Sequence, residues 1–181
     1  MINKLLRCFV AAGSVLWAAA ICQADSIIYA NSAGNTGVQV YDANTGVVMN
    51  TIVTPEMRAG NGRGVVKVGD ILYYTEASSN GVYAYNLKTS ADLGTVFRVA
   101  GASGLATMAY DGTNFYLGDY SGTNNVYKYS MTGSLLATLP LSQCTRFCDG
   151  LEYAQGHLVS NEKDGLSGRR ALTMSTQRVE N

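Results

Sequence analysis

The chain holds 181 residues with 13 basic and 13 acidic side chains, 47% hydrophobic residues, 12 tyrosines, four cysteines and one histidine. Basic residues between Asp25 and Gly165 stand singly, so no patch forms to neutralise phosphates and nucleic acid is excluded as a partner. A single histidine excludes the usual four-ligand zinc site, which needs clustered Cys and His.

In chain order, Lys4 and Arg7 precede an apolar run from Cys8 to Ile21 and a small-residue site at Cys22-Gln23-Ala24. This is the layout of a secretory signal. The run of about 14 residues is short for a membrane span of roughly 20. Residues 1–24 are therefore expected to be a cleaved signal peptide, leaving no stable membrane span and placing the product outside the cytoplasm. The mature chain would carry 11 basic against 13 acidic side chains.

From residue 26 onward the chain repeats itself. Val38-Gln39-Val40-Tyr41-Asp42, Val82-Tyr83-Ala84-Tyr85-Asn86 and Val126-Tyr127-Lys128-Tyr129-Ser130 are spaced by 44. A second series runs ahead of them in Ile27-Ile28-Tyr29, Ile71-Leu72-Tyr73, Asn114-Phe115-Tyr116 and Gly156-His157-Leu158, at spacings of 42 to 44. Short alternating strands with glycine turns at this period predict β-propeller blades.

The copies read as follows. Residues 26–53 supply strands two, three and four of a partial blade, and residues 64–99 a complete one. In residues 104–140 each strand has a local cause. Gly104 to Tyr110 alternates and reverses at Asp111-Gly112, a pair suited to positive φ. Phe115 to Tyr120 runs to a polar turn at residues 121–124, Val126 to Tyr129 is the third strand, and Leu135 to Leu139 ends at Pro140. Residues 150–165 begin another blade. The expected fold class is all-β, a segment of about three and a half four-stranded antiparallel blades forming an incomplete ring. Its open blade faces would invite self-association. Either another chain completes the ring, or this is a fragment of a longer protein.

Two features flank the last copy. Cys144 and Cys148, the cysteines left after the signal, are expected to form a disulfide in an oxidising compartment, pinning one inter-blade loop. Residues 166–181 lack alternation and tyrosines. That non-repeat tail points to a shifted reading frame or premature stop, the alternative being a natural basic tail.

The segment Gly104 to Tyr116, with Cys144, Cys148 to Tyr153 and Leu158 to Asn161, resembles secreted bacterial β-propeller repeat proteins with blades of NHL and YVTN type. It is similar to those that carry a PEP-CTERM sorting signal. The sorting signal itself, a terminal Pro-Glu-Pro with an apolar helix and basic stop, is missing. The resemblance implies a periplasmic, secreted or cell-surface protein of a bacterium. Its known members range from binding scaffolds to lactonases and lyases, so fold alone does not choose a role.

Candidate chemistry is sparse. Gly60-Asn61-Gly62-Arg63-Gly64 has the glycines of a phosphate loop but is followed by a strand instead of a helix. Asp42-Ala43-Asn44-Thr45-Gly46 starts like a calcium loop yet lacks the later glutamate. Both read as connections. Asn31, Glu76, Asp119 and Asn161 stand just after strand two in successive copies, where they would share one end of the blades as a ring of oxygens for a ligand. Turn capping predicts the same residue types. No cofactor is expected, and calcium is the cation such a ring would hold. No catalytic residue is assigned, since His157 cannot complete a triad. The expected function is a secreted non-catalytic scaffold for a protein or glycan ligand; the alternative is a truncated propeller hydrolase of lactonase type with a divalent cation.

Overall fold

In a computed structural model, the described residues are 26–120, 123–141, 148–162 and 175–178, with side chains from 58, 59, 148, 149, 161, 162 and 175–178 left aside. They are almost entirely β, in four antiparallel sheets. The first sheet holds β1 (Ile27–Ala30), β2 (Val38–Asp42) and β3 (Val48–Ile52). A 3-10 turn at Glu56–Ala59 links it to a four-stranded sheet of β4 (Gly62–Val68), β5 (Ile71–Glu76), β6 (Gly81–Asn86) and β7 (Ala91–Arg98). Next come β8 (Leu105–Tyr110), β9 (Asn114–Asp119), β10 (Asn125–Ser130) and β11 (Leu135–Pro140). The last sheet is β12 (Cys148–Ala154), β13 (His157–Glu162) and β14 (Ser175–Arg178). The strands fall where the repeat places them, as two four-stranded blades and two three-stranded ones. Within residues 166–181, outside the repeat, the backbone of Ser175–Arg178 nevertheless pairs with β13. The signal segment, Cys144 and hence the Cys144–Cys148 disulfide lie outside the described residues.

The hairpins form for stated chemical reasons. Asp42 Oδ1 accepts the amides of Asn44 at 2.8 Å and Thr45 at 3.0 Å, and Asn86 Oδ1 accepts those of Lys88 at 2.9 Å and Thr89 at 3.0 Å. Ser130 Oγ takes the same part with the Ser134 amide at 3.0 Å. A short polar side chain at the end of the third strand thus closes the turn into the fourth in three blades. The calcium-like segment at Asp42 is one of these turns.

Period-two alternation sends neighbouring residues of one strand into different cores. Leu72 and Tyr74 of β5 pack toward the first sheet with Val38, Val40, Ile52 and Met57, while Tyr73 between them faces the third sheet. Phe115 and Leu117 of β9 join Val82, Phe97 and Met108, while Tyr116 faces the fourth sheet with Leu158 and Tyr153. Three cores therefore lie between four sheets, each joining the trailing face of one blade to the leading face of the next. Tyrosines fill these cores: Phe97 stacks on Tyr129 at 5.2 Å, Tyr74 on Tyr83 at 5.4 Å and Tyr116 on Tyr153 at 5.8 Å between centroids. Such pairs add about 0.5–1.5 kcal/mol each beyond the area they bury.

Parity also fixes the equivalence of the copies. Leu158 is buried toward the preceding blade, as Phe115 and Leu72 are. The structural series is accordingly Ile28, Leu72, Phe115 and Leu158, one residue away from the last step of the sequence spacing. A slip of one residue would turn every side chain to the opposite face.

Candidate functional site

The end of strand two, where sequence places four oxygen-bearing residues, lies opposite the start of strand one. The pairs there are Gly62 with Glu76, Leu105 with Asp119, and Cys148 with Glu162. Each is followed by a bulge in strand one, spanning Arg63, Ala106 and Asp149, a device that bends a strand and re-aims its side chains. In this register Glu76 and Asp119 are level with Ser32 and Glu162. Asn31 and Asn161 are level with Thr75 and Gly118, one residue earlier.

Each described member of the set has its own surroundings. Asn31 Nδ2 donates to the carbonyls of Gly64 at 3.2 Å and Thr75 at 3.0 Å, clipping the first blade to the second. Glu76 is 2% exposed and its Oε1 has no hydrogen-bond partner among the described residues. Burial pushes its carboxyl above the usual carboxylate range, with the Ser78 hydroxyl opposing, Glu56 adding to the rise and Arg63 opposing. Asp119 is 4% exposed and its Oδ2 accepts the Thr123 hydroxyl at 2.6 Å. The side chain of Asn161 lies outside the described set. Among the described residues no group of three or more His, Cys, Asp or Glu is gathered for a metal ion.

Beside Glu76, Arg63 leaves the bulge of β4 and crosses to the next blade. Its guanidinium lies 4.9 Å from the Tyr120 ring centroid, and Nη2 donates to the Tyr120 hydroxyl at 3.4 Å. Such a contact ties two blades at their ends. His157 is spent in its own hairpin, with Nδ1 2.9 Å from the Gln155 carbonyl oxygen.

The other end of the inner strands carries a cleft. Its volume is about 400 Å³, and its walls are Val65, Val66 and Lys67 of β4, Met108, Ala109 and Tyr110 of β8, and Leu151, Glu152 and Tyr153 of β12. By register these are the same three positions in three blades. Backbone geometry is repeated while chemistry varies: Val65, Met108 and Leu151 at one level, Val66, Ala109 and Glu152 at the next, Lys67, Tyr110 and Tyr153 at the third. The cleft exposes polar and apolar surface in equal measure, with Lys67 and Glu152 supplying its charges. Sequence inspection missed it because each wall is an ordinary strand triplet; only the convergence of the strands makes a cavity.

Comparison with known proteins locates the fold. No family model and no curated protein matches the chain. Among solved structures, a computationally designed protein, Ika4, is 16% identical with a TM-score of 0.54, covering 85% of this chain and 86% of its own. A chain of the mitotic checkpoint complex is 15% identical with a TM-score of 0.60, over 86% of this chain and 46% of that one. A chain of the nidogen/laminin complex is 14% identical with a TM-score of 0.60, over 75% and 53%. The chain spans about half the length of the latter two. Both are propeller-like, and with four successive antiparallel sheets joined face to face, the likeness gives this protein a β-propeller fold.

Proposed function

We propose that the protein is a non-catalytic binding scaffold, exported by a bacterium to the periplasm or cell surface, with the cleft between its inner strands as the recognition surface for a glycan or protein ligand. The observation that carries this reading is the cleft itself: equivalent backbone positions in three blades bring Lys67, Tyr110, Glu152 and Tyr153 together with Val65, Met108 and Leu151. Repeated geometry with varied side chains suits recognition, and aromatic faces with a cation and a carboxylate suit a polyhydroxylated ligand. The leader-like residues 1–24 support export.

The test is to probe a glycan array, including chitotriose, cellotriose and maltotriose, with the labelled protein, and to assay γ- and δ-lactones with calcium in parallel. Saturable glycan binding without turnover is the expected result. A blank array together with calcium-dependent lactone hydrolysis, lost in Glu76→Gln or Asp119→Asn, would replace the scaffold with the hydrolase.

A further inference from the structure

We infer that the cleft selects a zwitterionic saccharide, an oligosaccharide that carries both a carboxylate and an amine. The inference rests on the cleft being the recognition surface and names the class of glycan that it takes. Its walls hold one charge of each sign: Lys67 of β4 and Glu152 of β12 are both exposed and both line the cleft. β8 stands between them, because the third blade packs on the second through Phe115 and on the fourth through Tyr116. Its share of the walls, Met108, Ala109 and Tyr110, is uncharged. Among the described residues, Lys67 and Glu152 form no ion pair with each other or with a third group. Asp70 and Asp111 sit in the hairpin turns beyond the walls, and Asp111 is already engaged by the amides of Thr113 and Asn114 and by the Tyr116 hydroxyl.

The charge pattern ranks ligands. A purely anionic ligand gains from Lys67 and loses to Glu152, a purely cationic one does the reverse, and a neutral one meets neither effect. A ligand with both signs gains at both walls, which is how complementary charge gives specificity. The rest of the cleft suits sugar rings. β4, β8 and β12 each end the strand order of their sheet, so their outer edges present backbone N–H and C=O groups with no strand partner among the described residues. A hydroxyl both donates and accepts, and so can bond to either group wherever it falls along such an edge. Tyr110 and Tyr153 add aromatic surface for the apolar parts of the rings. The volume of about 400 Å³ lies toward the lower end of the usual range of about 300–1,000 Å³, which limits the bound portion to a short segment of the saccharide.

Calorimetric titration of the purified full chain with four tetrasaccharides tests this: chitotetraose, which is neutral; its fully de-N-acetylated form, which is cationic; a hyaluronan tetrasaccharide, which is anionic; and the de-N-acetylated hyaluronan tetrasaccharide, which is zwitterionic. Tetraalanine serves as a zwitterion without sugar rings. The zwitterionic saccharide should bind about tenfold tighter than either singly charged one at low salt, and the difference should collapse at about 0.5 M salt. Lys67→Gln should bring the cationic chain level with the zwitterion, and Glu152→Gln should do the same for the anionic chain, an exchange of preference that misfolding does not produce. If either variant fails to fold by circular dichroism, the order of the four saccharides on the wild type decides. A neutral or singly charged saccharide that binds the wild type as tightly as the zwitterion overturns the inference and leaves the cleft a saccharide site. Tetraalanine binding as tightly replaces the saccharide with a peptide, and no binding by any probe overturns the inference together with the reading it rests on.

Discussion

Asp111 shows how one residue is held and what it holds. Burial alone would raise its carboxyl, but the amides of Asn114 and Thr113, the Tyr116 hydroxyl and the Asn114 side chain outweigh it and keep the group below its ordinary value. The Tyr116 hydroxyl reaches Asp111 Oδ2 at 2.9 Å from a ring that is fully buried. Asp111→Ala strands that hydroxyl and two turn amides, at an expected cost of about 1–3 kcal/mol in urea unfolding at pH 7. A carboxyl with a depressed folded pKa stabilises above its unfolded value near 3.8 and loses the effect as pH falls through the folded value. The gap between wild type and variant should therefore shrink as pH falls below about 3.8. Glu76 has the opposite sign. Its folded pKa is raised, so its contribution is complete below about 4.5 and is lost as pH rises through the folded value. Glu76→Gln, which carries no charge at any pH, should melt increasingly above wild type from pH 4 to pH 8. A constant gap in melting temperature would show that Glu76 finds its charge compensated.

At the scale of elements, blade-to-blade distance is set where backbones touch. A Cβ on Gly64 of β4 would lie 2.6 Å from Met108 Cβ and 2.7 Å from Met108 N of β8. Gly64→Ala must push two inner strands apart, and overpacking of this kind costs about 1–3 kcal/mol. Thermal melts should show a lower midpoint with the strand content of wild type; an unchanged midpoint would mean that the inner strands have room between them. Such close approaches are not legible in one sequence, because a glycine beside a bulge reads like any loop glycine. The hairpins were legible, since Asp42, Asn86 and Asp111 announce their turns by residue type. Tyrosine packing was legible too, for aromatic residues on alternating strands belong between sheets. The register of the fourth copy was not. Spacing aligned Leu158 with Tyr116, whereas burial aligns it with Phe115, and an apolar residue suits both positions, so composition does not choose between them.

For the whole molecule, backbone register sets the oxygen-bearing residues at the strand-two end on two neighbouring levels. Shifting one copy by one residue brings Asn161 level with Asp119 on paper, while strand pairing sets it beside the series of Asn31, Thr75 and Gly118. The strand-two end of the blades is then a place of clips and buried carboxyls, with Asn31 and Arg63 fastening neighbouring blades. The cleft at the other end presents exposed charge, in Lys67 and Glu152. Our proposal gives binding to that cleft. The measurement that bears on this most directly is calorimetric titration of the best array oligosaccharide into four variants. Lys67→Ala and Glu152→Ala should each weaken binding about tenfold, or about 1.4 kcal/mol, while Glu76→Gln and Asp119→Asn leave it unchanged. Binding lost in Glu76→Gln and Asp119→Asn but kept in Lys67→Ala and Glu152→Ala would move the site to the opposite end of the blades and contradict the assignment.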